Sequence, residues 1–204
     1  MTDIDARAKS IKETLHDAKY GIDYYQREYK WERKHLQELL DDLTSHFLLN
    51  YHPSHEPAEV EIYPPYFLGS IVISHKQEKK WIIDGQQRLT SLTLLLIYLQ
   101  HVQEKREGRR VNVQELIFSE RYGEKSFNLH VEERVPCMEA LYTNQPFPFE
   151  SHESESVRVM GERYADIETF FPPQLQTKAL PYFIDWLLHK VVLIHIEADD
   201  ENNA

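Results

Sequence analysis

The chain has 204 residues, a net charge of −11, 41% hydrophobic residues, and twelve Tyr, nine Phe and three Trp. That is the composition of one folded domain, or of one domain and part of another, and not of a disordered chain. A single cysteine, Cys137, excludes an internal disulfide and any multi-cysteine zinc site, and the longest apolar run, Leu94 to Leu99, is far too short to cross a bilayer.

The first segment, "MTDIDARAKSIKETLHDAKY", carries acids and has no apolar h-region, so it is not a secretory signal, and the expectation is a soluble cytoplasmic protein that avoids membranes. Charge is spread unevenly. From Glu150 to Ala204 there are eleven acids and four bases, whereas Lys76 to Arg134 holds eleven bases and nine acids. An acidic surface argues against gripping duplex DNA unaided, because phosphate neutralisation supplies most of such affinity. A local anion pocket stays compatible with it.

In chain order, residues 5–19 are expected to form a short helix with Ile11 and Leu15 on one face. "YGIDYY" (20–25) reads as a short strand. From Glu32 to about Asn50, Leu36, Leu39, Leu40, Leu43 and Phe47 recur at helical spacing. Four prolines make 51–65 a loop. "YFLGSIVISH" (66–75) and "KWIID" (80–84) are expected to pair as an antiparallel hairpin. The helix from Gln86 to about Glu107 is apolar nearly all round at 92–99, as a central buried helix would be. Gly108 and the bases Lys105, Arg106, Arg109 and Arg110 suit its C-terminus. Weak strand signals lie in 111–131, short helices near 133–142, 154–170 and 173–189, and "VVLIHIEA" (191–198) is a β-branched central strand. Asp and Asn after that strand resemble N-cap chemistry for a further helix, which suggests a piece of a longer protein.

The segment "WIIDGQQRLTSLTLLL" is the chemically unusual one. Asp84, Gly85, Gln86, Gln87 and Arg88 sit between two elements that both look like core. One reading makes Asp84 the N-cap and the glutamines ordinary first-turn residues. Against it stands Arg88, a cation at the unfavourable end of the helix dipole, which costs roughly 0.3–1 kcal/mol. An anion bound there reverses the sign, since free N–H groups and a guanidinium converge on it. It is not a Walker A loop. A second polar island, "YYQREYKW" (24–31), sets Gln26, Arg27 and Lys30 among Tyr24, Tyr25, Tyr29 and Trp31. By itself it reads as an aromatic anchor; beside the first island it suggests a ligand wall.

Together, "YQREYKW" and, about sixty residues later, "WIIDGQQRLTSLTLLL" resemble the N-terminal domain of GmrSD-type modification-dependent restriction endonucleases, over the whole chain. Both motifs are complete; the one departure is Ile22-Asp23 where that family often has Ile-Pro. The resemblance implies an α+β fold of the ParB/sulfiredoxin type, a small mixed sheet with a central buried helix and a helical C-terminal half. It divides into a nucleotide-binding core over 1–150 and a helical extension with a closing strand over 151–204. It also implies binding and hydrolysis of a nucleoside triphosphate with Mg²⁺, controlling DNA cleavage by an HNH domain that this chain lacks. The residues implied are Tyr25, Gln26, Arg27, Gly85, Gln86 and Arg88 for binding, and Asp84, Gln87, Arg88 and Gln26 for catalysis. Arg88 would grip phosphate oxygens with backbone N–H groups of Gln86 or Gln87, Arg27 would offset charge on leaving phosphates, and Gln26 or Gln87 would orient water. Asp84 is a weak Mg²⁺ candidate through a water, with no other metal ligand implied. Implied partners are the nucleotide, DNA through the full-length protein or a partner nuclease, and a second copy of the chain. The alternative is a non-enzymatic ParB-like module that binds DNA or recognises modified DNA.

Other signals carry less. His52 and His55 lie in a proline-rich loop without metal-ligand spacing. His195 reads as a satisfied strand histidine, Cys137 as a buried thiol, and Glu153-Glu155 and Asp199-Glu201 as solvated faces or caps.

Overall fold

The structure, a computed structural model, describes residues 4–22, 28–76, 79–121 and 124–199. Its centre is a mixed six-stranded sheet backed by helices. The strands are β1 (Ile4–Ser10), β2 (Tyr20–Ile22), β3 (Tyr66–Lys76), β4 (Lys79–Asp84), β7 (Leu129–His130) and β8 (Val191–Asp199), in the order β1-β8-β3-β4-β2-β7. A separate two-stranded ribbon is made by β5 (Phe118–Arg121) and β6 (Glu124–Phe127). The helices are α1 (Ile11–Leu15), α2 (Arg33–Leu48), α3 (Gln86–Glu104), α4 (Gln114–Ile117), α5 (Val135–Thr143), α6 (Glu155–Phe170) and α7 (Leu180–Lys190).

The expected hairpin forms: β3 and β4 are antiparallel, with Ile73 opposite Ile82. Strand β8 enters the sheet between β1 and β3, antiparallel to the first and parallel to the second. Its β-branched residues suit that inner place. Helix α3 is the buried centre, with Leu89, Leu92 and every residue from Leu94 to Leu99 inside. Each buried leucine contributes about 2 kcal/mol at most. Two of the hydroxyls it takes into the core are satisfied along the helix itself, Thr93 by the Leu89 carbonyl at 2.9 Å and Ser91 by the Gln87 carbonyl at 2.9 Å, whereas Thr90 Oγ1 is buried with no hydrogen-bond partner among the described residues.

Three expectations change. Residues 5–19 are not one helix: β1 runs to Ser10, and α1 covers only Ile11–Leu15. A reciprocal cap decides the break, with Glu13 N–H donating to Ser10 Oγ at 3.2 Å and Ser10 N–H donating to Glu13 Oε2 at 2.7 Å. Ile11 and Leu15 are buried, as the pattern required. Residues 173–189 split into a 3-10 turn, Pro173–Gln176, and α7, because Thr177 is extended and Pro181 sits in the first turn of the second piece. Asp84 does not cap α3. That place belongs to Gly85.

Candidate functional site

Strand β4 delivers Asp84 to the surface, and one residue later the chain turns into α3. Gly85 makes that turn at φ +91°, and a β-carbon there would lie 2.5 Å from Ile71 Cγ2 in the adjacent strand. Only glycine meets both demands. Because a glycine is the N-cap, no side chain among the described residues caps the first turn of this 19-residue helix. The N–H groups of Gln86, Gln87 and Arg88 therefore have no intrahelical partner and carry the positive end of the dipole.

The two glutamines face the C-terminal half of the second polar island. Gln87 uses both ends of its amide on backbone: Nε2 donates to the Glu28 carbonyl at 2.7 Å and Oε1 accepts from Lys30 N–H at 2.8 Å. Gln86 Nε2 donates to the same Glu28 carbonyl at 3.2 Å. Gln86 Oε1 is buried with no hydrogen-bond partner among the described residues. Residues 28–31 are held from the other side as well. Tyr29 N–H donates to Ser156 Oγ at 2.9 Å, and Arg163 Nη1 donates to the Trp31 carbonyl at 3.0 Å. The Tyr29 hydroxyl lies 2.8 Å from Ser91 Oγ; burial pushes its pKa up to about 12, so it stays protonated.

Arg88 bends back over β3. Its Nη1 donates to the Ser70 carbonyl at 3.0 Å, and its Cζ is 2.9 Å from where a β-carbon on Gly69 would sit. Gly69 has φ +134° at a register shift in β3, so the strand opens a flat place on which the guanidinium rests. Among the described residues Arg88 has no carboxylate partner. It is half-buried, so that charge is held near the surface with donors unused. Lys30, by contrast, pairs with Glu28, and Glu28 is one of the few carboxylates near the site.

These groups surround a cleft of about 470 Å³, with Asp84, Gly85, Gln86, Gln87, Arg88 and Ile83 on one side and Glu28, Lys30 and Trp31 on the other. Its volume is in the range of small-molecule sites, roughly 300–1,000 Å³. The structure thus brings the Asp84–Arg88 set to one cleft with the end of the second island. Tyr24, Tyr25, Gln26 and Arg27 lie outside the described residues.

The sequence reading did not single out Gly69, Ser91, Ser156 or Arg163. Gly69 had a usable signal, since a glycine inside a strand pattern marks a bulge or a close approach. Ser156 and Arg163 carried none, because their role comes from where α6 docks.

Away from the cleft, Cys137 is the buried thiol expected, and His195 is satisfied at one ring nitrogen only, its Nδ1 being buried with no hydrogen-bond partner among the described residues. Cys137 is buried, its Sγ donates to the Arg134 carbonyl at 3.0 Å, and burial pushes the thiol up to about 12. His195 is buried with Nε2 2.9 Å from Thr14 Oγ1, and burial, assisted by Lys9, lowers its pKa to about 4. Among the described residues no group of three His, Cys, Asp or Glu could hold a metal ion, and no helix is long and apolar enough to cross a membrane.

Residues 11–204 match the family model described as the GmrSD restriction endonuclease, N-terminal domain. No curated protein matches the sequence.

Proposed function

We propose that this chain, which belongs to the GmrSD restriction endonuclease N-terminal domain family, binds a nucleoside triphosphate in the Asp84–Arg88 cleft and hydrolyses it to control a nuclease. Membership gives the chain a part in restriction; the nucleotide chemistry is our reading of the cleft. The carrying observation is one arrangement: a half-buried Arg88 with no carboxylate partner among the described residues, beside a first turn of α3 that no described side chain caps. Phosphate oxygens would complete both, taking the free N–H groups of Gln86 to Arg88 and the unused guanidinium donors.

The chain's own residues divide the work. Arg88 holds phosphate and stabilises charge that grows on it, as positioned cations do in phosphoryl transfer. Asp84, exposed at the mouth of the cleft, would hold Mg²⁺ through water, and the ion would supply positive charge against the triphosphate. Gln87 anchors the Glu28 carbonyl and the Lys30 N–H, and Gln26 and Arg27, outside the described residues, remain the candidates for orienting water and offsetting leaving-group charge. Trp31 supplies an apolar wall. The ParB/sulfiredoxin likeness, DNA as the controlled substrate and self-association belong to the same proposal.

Titration of a triphosphate with Mg²⁺ into the wild-type chain and into Arg88→Ala tests this. Binding should weaken at least tenfold in the variant, with its thermal midpoint within about 2 °C of wild type, since one hydrogen bond to Ser70 is lost. Equal binding by both would refute the phosphate assignment. Phosphate release, measured with and without modified DNA, then separates a hydrolase from a binding module. Binding of DNA with no affinity for any triphosphate would favour the ParB-like alternative.

A further inference from the structure

Strand β4 begins at a second cleft, of about 400 Å³, at the opposite end from Asp84. Strand registers define its floor. Gly21 of β2 pairs with Trp81 of β4 and with His130 of β7, so the three form one row across three strands, with side chains on one face. The middle member has no side chain, and the Trp81 ring fills the gap. A β-carbon on Gly21 would lie 2.9 Å from Trp81 Cε3, so the indole lies down over the glycine. Its Nε1 is buried without a hydrogen-bond partner among the described residues. The ring therefore offers the cleft its face and not its polar edge.

Two residues earlier on the same face stand Lys79 of β4 and Lys19, the residue before β2. Because these strands are parallel and Tyr20 pairs with Lys80, the two lysines sit side by side, one strand spacing apart and about 7 Å from the ring row. Both are exposed, and neither forms an ion pair with any described residue. In a chain of net charge −11 this is a local cationic rim beside an aromatic face. The cleft shares Ser126 and His130 with a recess of about 120 Å³ walled by Phe118, Phe127 and Tyr142, where Lys125 Nζ lies 5.0 Å from the Phe118 ring centroid. Basic groups and aromatic faces thus share one track, with the carboxylates Glu132 and Glu139 also on its walls.

We propose that this track binds a single-stranded segment of DNA, with one base stacked on Trp81 and adjacent phosphates on Lys19 and Lys79. Stacking on a ring face tolerates any base, so the site grips unpaired strand without reading sequence. The site is separate from the triphosphate cleft and does not depend on it. The unpaired strand would come from a duplex opened around the position the full-length protein acts on, which reconciles a DNA contact with an overall acidic surface.

Fluorescence anisotropy of a labelled oligo-dT with the 204-residue chain tests the proposal. Trp81→Ala should weaken binding about tenfold or more and Trp81→Phe much less. Lys19→Gln with Lys79→Gln, two exposed changes that leave the core intact, should flatten the slope of log affinity against log salt by about 1.4. Saturating triphosphate should leave the oligonucleotide bound. The proposal is overturned if the double lysine variant binds with the wild-type salt slope, if matched duplex binds as tightly as oligo-dT, or if free thymidine monophosphate competes at equal concentration. If Trp81→Ala fails to fold by circular dichroism, Trp81→Phe and the lysine pair decide the matter.

Discussion

The two ends of α3 use the same devices and reach opposite results. At each end a glutamine clamps a neighbouring stretch of backbone with both halves of its amide. Gln87 holds Glu28 and Lys30, and Gln103 holds Val111, accepting from its N–H at 2.7 Å and donating to its carbonyl at 3.1 Å. Close to each end a left-handed glycine turns the chain, Gly85 at φ +91° and Gly108 at φ +105°. The C-terminal end is then closed electrostatically. Arg110 Nη2 donates to the Arg106 carbonyl at 3.3 Å and the Glu104 carbonyl at 3.4 Å, cations against the negative end of the dipole. Nearby Arg109 pairs with Asp185 at 2.6 Å. Among the described residues the N-terminal end receives no side-chain cap, and it carries a cation in place of an anion. The same helix is thus completed at one terminus and left open, with mismatched charge, at the other.

The largest expected effect separates the two glycines. Gly85→Ala combines left-handed strain with a collision against Ile71 and should cost about 3 kcal/mol, lowering the thermal midpoint by about 6–12 °C. Gly108→Ala meets nothing within 4 Å and should cost only about 1 kcal/mol, from backbone strain. Similar losses at both positions would mean that Gly85 is not packed as described.

Acid tests whether the two ends belong to one cooperative unit. His195 has its pKa lowered to about 4, first by burial and then by Lys9, so its neutral form is favoured in the folded chain. Its contribution is complete above the unfolded value near 6.5 and is lost as pH falls through about 4, on the order of 3 kcal/mol. Hydrogen-exchange protection of the Leu89 and Lys105 amides should fall together over that window. The fall should be smaller in His195→Gln.

The clamps come next. Gln103 is buried, and Gln103→Ala should cost about 2 kcal/mol globally by stranding the Val111 N–H and carbonyl. Gln87→Ala should cost about 1 kcal/mol, because water reaches the exposed 28–30 backbone. Its clearer readout is faster exchange at the Lys30 amide together with weaker triphosphate binding. Smallest of all, Arg110→Ala should change stability by about 0.5 kcal/mol, by chemical denaturation at low and high salt, with the difference shrinking at high salt.

Much of this was legible in the sequence. The leucine spacing of α2, the all-round apolar stretch of α3, the β3–β4 hairpin and the β-branched β8 are short-range patterns, and patterns of period two and 3.6 survive without a fold. Asp84 to Arg88 drew attention for a local reason too, a cation at the wrong end of a helix. What failed was also local in cause. Residues 6–10 carry two alanines among charges, which suits a helix, yet β8 offers them an edge to pair with, and the Ser10–Glu13 cap ends the strand.

Only tertiary structure decided the rest. That Gln87 faces residues 28–30, that Gly69 makes room for Arg88, and that Gly21 lies between Trp81 and His130 all depend on strand registers and helix docking. Those contacts span about 20 to 110 positions of chain, and the free energy that selects them comes from burying α3 and the sheet against each other. The sequence by itself therefore determined which residues were chemically out of place. Packing determined what each of them faces.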